Sequence, residues 1–473
     1  MKKPSLLIII LLVLNTITSL VGFNIGLNSP FPDETSYLAM AEGISHGKFS
    51  TWFLLDHYYP ETLRMPGYPI FLYSVLSLFD STLVVKLIQL ALYYASLVLS
   101  FNLILKLGGG RDHVELRKII FLSLTAINIQ LPFYAGCISS ESLSIFLMVA
   151  CLYIFIQLEN SIIKYAYLGL TFGLLYYFRP AFILLPFFVS GITLYLFKGV
   201  ILKKHVLVML FFFIISILPF AVWNKMNHDV FKMTPIEGGA GVAHMGYWSF
   251  KLPGNYTDTY YWNIVVFPDI TNPFKYSEDE YEKNKLTYES EWSKIQKKLD
   301  ELLNDEDRLF IEVMKKEGKV RPGRFLLYNS KYTLARESHL WGALISDIKS
   351  DPYFYLKTRA YTFVRLFFIG INPDSLNKAT SLPSKLKVIY PFLVTFMTIF
   401  LGFTMCTLYL VKCAIKVENN VIFIYLIILF QAIIHIPFAI QSRFMIPLHF
   451  FIFIIVSIIL ANLNIFFRKK HSI

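Results

Sequence analysis

The chain has 473 residues, of which 55% are apolar and only 16% are charged, and its mean hydropathy is +0.54. A soluble globular protein carries roughly 25% charged residues, so this chain lacks the polar surface that a soluble enzyme of its size needs. The composition therefore predicts an all-α polytopic membrane protein. It excludes a disordered protein and a small secreted scaffold built on disulfides.

The formal net charge of +12 is unevenly distributed. Residues 224–352 carry 18 basic and 20 acidic side chains, whereas the remaining chain carries 26 basic and 12 acidic ones. The basic excess lies on short loops and tails beside apolar segments, as expected where positively charged loops stay in the cytoplasm. The charge thus indicates membrane topology, and no nucleic-acid partner is expected.

About ten segments are apolar and long enough to cross a bilayer as helices, with the N-terminus in the cytoplasm. They are residues 5–23, 83–106, 117–134, 139–157, 162–178, 181–197, 205–223, 388–411, 421–440 and 444–466. Two further apolar stretches, 67–79 and 361–371, are short. At about 1.5 Å per residue, neither reaches across a hydrocarbon core of about 30 Å.

Loop charge favours treating both short stretches as interfacial or re-entrant pieces, although it does not settle whether either crosses. If 67–79 were a span, the basic clusters around 107–116 and 198–204 would lie outside. If 361–371 alone were a span, the basic tail 468–470 would lie outside. The ten-span arrangement keeps every cluster in the cytoplasm.

This topology divides the chain into three parts. Residues 1–223 form an N-terminal transmembrane catalytic module that includes a first outer loop, 24–82. Residues 224–387 form a mostly helical extracytoplasmic region, and residues 388–473 form the C-terminal transmembrane helices. Within the middle region, apolar spacing predicts helices over 278–316 and from about 332 to 349, with a break at 321–323.

The first outer loop contains a short amphipathic helix at the membrane surface. Asp33 follows a proline, where a carboxylate is favoured at a helix start, and an apolar stripe begins at Tyr37. One interpretation is that Asp33 caps this helix. The other is that it acts as a general base, with the adjacent Glu34 raising the pKa of one of the two carboxyl groups.

The segment from Arg64 to Pro69 brings a cation to the same interface, just before an apolar stretch. Arg64 could reach lipid phosphate from there, or it could bind the phosphate of a lipid-linked donor. The same two interpretations apply to Arg443. Glu141 follows two serines and could act as a helix cap, or it could belong to a site.

Asp33-Glu34-x-x-Tyr37 on the first outer loop, followed by Arg64-x-Pro-Gly-Tyr68-Pro, resembles the GT-C superfamily of integral-membrane glycosyltransferases. The most similar groups are the protein O-mannosyltransferases and the bacterial aminoarabinose-to-lipid-A transferases. Further matches follow in the expected order over nearly the whole chain. They are 139–141, Arg179-Pro180, 219–224, the glycine-containing run 238–241 and 441–447. One departure is Glu61, which lies a few residues away from the acidic position of the aminoarabinose transferases.

The resemblance implies transfer of a sugar, hexose or pentose, from a polyprenyl-phosphate donor to a lipid, glycan or protein acceptor outside the cell membrane. It implies Asp33 as the base, with Glu34 and Glu141 in the catalytic group. Substrate-binding residues would be Tyr37, Arg64, Tyr68, Arg179 and Arg443. No cofactor is certain, but Asp33 and Glu141 could hold a divalent cation.

Two other classes of protein remain as alternatives. A polytopic transporter or lipid flippase usually places ionisable residues near the middle of the bilayer and shows repeated halves, and no repeat is visible here. An O-antigen polymerase or ligase would share the compartment and the lipid carrier. It would lack the motif at Asp33.

The topology can be tested by cysteine scanning with a membrane-impermeant thiol reagent. We expect residues 24–82 and 224–387 to react from outside the cell, because the ten-span arrangement exposes them there. Residues 107–116 should react only after permeabilisation. Reaction of 107–116 in intact cells would contradict the arrangement.

Overall fold

The computed structural model describes residues 5–29, 31–53, 58–107, 113–252, 276–316, 329–367, 380–413, 418–438 and 442–470. Throughout these ranges the regular elements are helices, which confirms the predicted all-α polytopic fold. Across the first 228 residues they are α1 Leu6–Leu27, α2 Glu34–Ser45, α3 Gly67–Phe79, α4 Thr82–Lys106, α5 Val114–Ile127, α6 Gln130–Gly136, α7 Glu141–Gln157, α8 Ile162–Phe178, α9 Leu185–Leu196 and α10 Lys203–His228.

The middle region contains α11 Ala240–Lys251, α12 Glu278–Asp300, α13 Asp305–Lys316, α14 Ser330–Ser350 and α15 Pro352–Arg365. The C-terminal part contains α16 Leu382–Thr395, α17 Leu401–Cys413, α18 Asn419–His435 and α19 His449–Lys470. A π-turn, Phe396–Phe400, joins α16 to α17, and a 3₁₀ helix, Ser442–Leu448, leads into α19.

Each of the ten segments predicted to span the membrane contains helix in the part that the structure describes. Among the described residues, five helical stretches are long and apolar enough to cross a bilayer, and the pair α5 and α6, bent by 52°, would be a sixth if it forms one span. The other predicted spans coincide with shorter apolar helices of 10–17 residues, a class that also includes α3. The short stretch 67–79, expected to be an interfacial or re-entrant piece, is a helix, and whether it crosses the membrane stays open.

The helix ends that were predicted to be cytoplasmic contact one another. Three hydrogen bonds join them: Lys106 Nζ to the Ile156 carbonyl, Asn160 Nδ2 to the Val200 carbonyl, and Asn419 Nδ2 to the Leu196 carbonyl. The helix α7 has 17 residues; it ends at these contacts and starts at the opposite end of the bundle. The alternation of helix direction agrees with the topology inferred from charge.

Glycines allow α8 and α10 to approach closely. A Cβ atom on Gly169 would lie 2.2 Å from the Met209 carbonyl oxygen, and one on Gly173 would lie 1.8 Å from Ser216 Oγ. Small residues at helix interfaces are the usual means of tight packing in membranes, where the lipid gives no hydrophobic drive for association. This packing fixes the end of α8, where Arg179 lies.

The middle region departs from the prediction in one place. The predicted helix over 278–316 is two helices, because the chain turns at 301–304 and α13 starts afresh with its own capping residue, Asn304. Asp307, in the first turn of α13, is buried and accepts a hydrogen bond from Asn329 Nδ2 at 3.0 Å. The predicted helix from 332 to 349 is confirmed, and the predicted break at 321–323 lies outside the described residues.

We expect Gly169→Leu to lower the thermal unfolding midpoint of the purified protein in detergent. The added side chain must push α8 away from the backbone of α10, and overpacking of this kind costs about 1–3 kcal/mol. Gly191→Leu is the matched control, since a Cβ at that helical position meets no atom within 4 Å. Equal midpoints for the two variants would contradict close packing of α8 on α10.

Candidate functional site

Asp33 begins α2, yet its side chain does not cap that helix. Instead, Asp33 Oδ1 accepts a hydrogen bond from Arg64 Nη2 at 2.7 Å, and Asp33 Oδ2 accepts one from Arg443 Nη1 at 3.3 Å. One carboxylate thus joins the first outer loop to the 3₁₀ helix that precedes α19. The interpretation of Asp33 as a helix cap is therefore wrong.

The two arginines decide the protonation state of Asp33. Burial alone would raise the pKa of this carboxyl group, but the charges of Arg64 and Arg443 and their hydrogen bonds outweigh it. The pKa of Asp33 consequently lies below its ordinary value, and the group is ionised at neutral pH. The expectation that the neighbouring Glu34 would raise the pKa of this carboxyl group is wrong for Asp33.

The loop that carries Arg64 is held by a buried carboxylate, Glu61. Its Oε1 accepts hydrogen bonds from the backbone N–H groups of Leu63 at 3.0 Å and Arg64 at 3.2 Å, and its Oε2 accepts one from Thr51. His228, at the end of α10, contacts the Glu61 carbonyl at 3.1 Å. Glu61 therefore sets the direction in which Arg64 leaves the loop, a positioning role that the sequence interpretation missed.

Tyr37 and Tyr68 form the aromatic wall behind Arg64. The Arg64 guanidinium lies 4.9 Å from the centre of the Tyr37 ring, which is close enough for a cation–π interaction. Tyr37 in turn meets Tyr68 edge to face at 4.8 Å. Tyr68 is buried and donates its hydroxyl hydrogen bond to Gln89 Oε1 at 2.8 Å, so it supports Tyr37 from behind.

A second ion pair lies beside the first. Glu141 is the first residue of α7, and its Oε1 accepts a hydrogen bond from Arg179 Nη2 at 3.0 Å. Arg179 follows the last turn of α8, and its Nη1 also lies 3.4 Å from the Arg443 carbonyl oxygen. The residue before the helix, Ser140, makes no side-chain capping bond. The partner found for the Glu141 carboxylate is the Arg179 guanidinium.

The two pairs differ in their access to solvent. The Asp33 side chain is 17% exposed, and those of Arg64 and Arg443 are 21% and 23% exposed. The Glu141 side chain is only 4% exposed. A ligand can therefore reach the Asp33 cluster, whereas Glu141 and Arg179 lie behind it and hold it in place.

The structure brings together most of the residues that the sequence singled out. One connected network contains Asp33, Tyr37, Arg64, Tyr68, Glu141, Arg179 and Arg443. Glu34 stands apart, because its carboxylate accepts only a long bond from the Phe31 backbone and has no basic group within 4.0 Å among the described residues. Its catalytic role stays a prediction.

A divalent cation at Asp33 and Glu141 would have to compete with bound guanidinium groups. Arg64 and Arg443 each form an ion pair with one oxygen of Asp33, and Arg179 forms an ion pair with Glu141. Three arginines thus meet in one place, paired with Asp33 and Glu141, and Arg64 also lies near the carboxyl group of Glu61. Phosphate oxygens are the usual ligands of such guanidinium groups.

Comparisons with known proteins show a distant structural similarity. No family model matches the chain, and no curated protein matches it. Among solved structures, the chain is similar to ArnT from Cupriavidus metallidurans bound to undecaprenyl phosphate, with 13% identity, 95% of this chain and 78% of that chain covered, and a TM-score of 0.36. A superposition this loose transfers no residue role to the present chain.

Removal of the Arg179 guanidinium should destabilise the protein strongly. Arg179→Met leaves the buried Glu141 without its cation, and breaking a buried pair costs about 3–5 kcal/mol. The control, Lys225→Met, removes an exposed pair with Asp229 and should cost at most about 1 kcal/mol. Thermal unfolding in detergent measures both, and Glu141→Gln combined with Arg179→Met should recover much of the loss. Equal effects of the two single variants would refute the buried pair.

Proposed function

We propose that the chain is a glycosyltransferase that moves a sugar from a polyprenyl-phosphate donor to a lipid, glycan or protein acceptor on the extracytoplasmic side of the cell membrane. The observation that carries the proposal is the ionised, partly accessible Asp33 held between Arg64 and Arg443. The ordered motifs shared with the GT-C superfamily support it. The proposal includes two further points: the donor is a polyprenyl-phosphate sugar, and the site lies on the extracytoplasmic side of the membrane.

The proposed reaction needs a base and a phosphate site in the same place. Asp33 accepts the proton of an acceptor hydroxyl, whose oxygen attacks the sugar C1 while the bond from C1 to the phosphate oxygen breaks. The leaving polyprenyl phosphate keeps that electron pair, and Arg64 and Arg443 stabilise its negative charge. Attack opposite to the leaving group inverts the configuration at C1.

The ion pairs in the structure also suggest how the base becomes active. A carboxylate bound to two guanidinium groups is a weak base, because they stabilise its ionised form. The phosphodiester of the donor, which carries one negative charge, would compete with Asp33 for Arg64 and Arg443. Donor binding would thus release the carboxylate toward the acceptor and raise its basicity at the moment when the leaving group is in place.

An open apolar groove of about 580 Å³ supports a lipid-linked donor. Its lining includes Ile44, Pro66, Ile70, Tyr177, Phe220 and Trp223. Pro66 lies two residues after Arg64, so a prenyl chain in the groove would start beside the phosphate site.

The ionisable residues of the site stand at helix ends. This position favours an interfacial enzyme over a transporter, which would place charged residues in the middle of the bilayer.

Asp33→Asn should abolish sugar transfer while the protein remains folded and inserted. The amide keeps the size of the side chain but cannot accept the acceptor proton. Glu42→Gln is the matched control, because it removes an exposed carboxylate from the same helix. Lipid and glycan analysis of a deletion strain carrying each variant gives the result: a glycan short of one sugar, with accumulated polyprenyl-phosphate sugar, for Asp33→Asn only.

Measurements of lipid binding distinguish the role of Asp33 as a base from the role of the two arginines as phosphate ligands. Purified Asp33→Asn should still bind undecaprenyl phosphate, whereas Arg64→Gln and Arg443→Gln should bind it roughly tenfold more weakly or worse, since each loses a charge-assisted hydrogen bond. Transfer at the normal rate by Asp33→Asn would end the base assignment. Unchanged lipid binding by both arginine variants would end the phosphate assignment.

A further inference from the structure

Three helices of the middle region bring one imidazole and two carboxylates together, away from the Asp33 cluster. His244 lies on α11, Glu291 on α12 and Asp347 on α14. One ligand atom from each lies within 4.8 Å of the other two. No other group of three such side chains occurs in the part of the chain that the structure describes.

The surroundings of the three side chains are those of a built site. His244 is 2% exposed, and its Nε2 lies 2.7 Å from Glu291 Oε1. The rings of Trp248 and Tyr288 stand about the imidazole, with centroids 6.3 Å and 6.1 Å from it. These contacts fix the orientation of the imidazole and limit the access of water.

Asp347 brings a buried carboxylate oxygen to the group. Its Oδ2 is shielded from solvent, and although the Trp248 indole is the neighbouring donor, neither atom completes a hydrogen bond of normal geometry. The Glu291 carboxylate lies beside it, with a ligand atom within 4.8 Å. Two carboxylates held together in this way carry an electrostatic cost that a cation would remove.

The nearest lysine does not supply that cation through an ion pair. Lys251 Nζ lies over the rings of Tyr247, Trp248 and Phe354, at 4.7–5.2 Å from their centres. Within the described ranges it makes no ion pair within 4.0 Å of Asp347 or Glu291. Its charge acts on both carboxylates without forming an ion pair with either.

We propose that His244, Glu291 and Asp347 bind one divalent transition-metal ion, and that Zn²⁺ fits the site best. Imidazole and carboxylate are both Zn²⁺ ligands, whereas Ca²⁺ and Mg²⁺ prefer oxygen ligands alone. Ligand atoms around tetrahedral Zn²⁺ stand about 3.4 Å apart, which follows from bond lengths of about 2.0–2.1 Å. Small side-chain rotations convert the observed spacing to that geometry.

The proposed ion would fasten α11, α12 and α14 to one another. The segment that leads into α11 is bonded to the Arg64 loop, because the Glu237 N–H donates to the Thr62 carbonyl at 2.9 Å. The ion would therefore stabilise a region that supports the Asp33 cluster without entering the reaction there. Three protein ligands leave one coordination position for water.

The test uses the full chain in detergent, stripped with chelator and then supplied with Zn²⁺ alone. We expect about one Zn²⁺ per chain by elemental analysis after gel filtration, and a higher unfolding midpoint with the metal. Co²⁺ in place of Zn²⁺ should give the visible absorption of a four- or five-coordinate ion. Retention of well under one equivalent, with no change in the midpoint, would overturn the proposal.

Variants locate the ion. Glu291→Gln and Asp347→Asn keep the side-chain volumes and should each weaken Zn²⁺ binding tenfold or more. Glu289→Gln, an exposed neighbour on α12, should leave it unchanged. If a variant does not fold, extended X-ray absorption of Zn²⁺ bound to the unmodified chain still decides the ligand set, since multiple scattering from an imidazole ring distinguishes it from oxygen ligands alone. Equal binding by all three variants would place the metal elsewhere and refute the site.

Discussion

An ionised carboxylate at the edge of a membrane needs a cation nearby, and in this protein one carboxylate has two. Asp33 is ionised because Arg64 and Arg443 offset the cost of burying it. Each arginine in turn needs its own support, which comes from Glu61 for the Arg64 loop and from Arg179 at the Arg443 carbonyl. The arrangement of the outer helix ends follows from satisfying these few charges in a poorly hydrated place.

The bundle supplies the rigidity that such a charge network requires. Glycine contacts between α8 and α10 fix the end of α8, and so the backbone from which Arg179 reaches Glu141. On the other side of the site, Tyr68 is anchored through Gln89, whose amide donates to the carbonyls of Ala135 and Cys137. Polar groups inside the bundle thus serve to hold the aromatic and charged groups at its mouth.

Much of the fold could be predicted because it depends on local pattern. Apolar length located the helices of the bundle, and the i, i+3, i+4 spacing after Asp33 predicted α2. The chemistry of the site was also visible, since Asp33, Arg64, Glu141, Arg179 and Arg443 lie in short motifs at helix ends. The split between α12 and α13 escaped prediction, because the chain between them offers neither proline nor glycine as a break.

What could not be predicted depends on contacts between distant parts of the chain. Asp33 has every local feature of a helix cap, and only the approach of Arg443 gives its carboxylate a different partner. The sequence does not indicate the role of Glu61 in the loop. Its hydrogen bonds with the backbone N–H groups of Leu63 and Arg64 appear only in the structure. His244, Glu291 and Asp347 lie on three separate helices and share no motif, so their proximity exists only in the folded protein.

Because Asp33 pairs with Arg443, the site can be completed only late in synthesis. The two residues are 410 positions apart, and Arg443 directly precedes the last helix. A chain that has left the ribosome only as far as α18 has its first outer loop in place but lacks the second cation of the site. Polypeptides that end before Arg443 therefore leave Asp33 with Arg64 as its one arginine partner in this network.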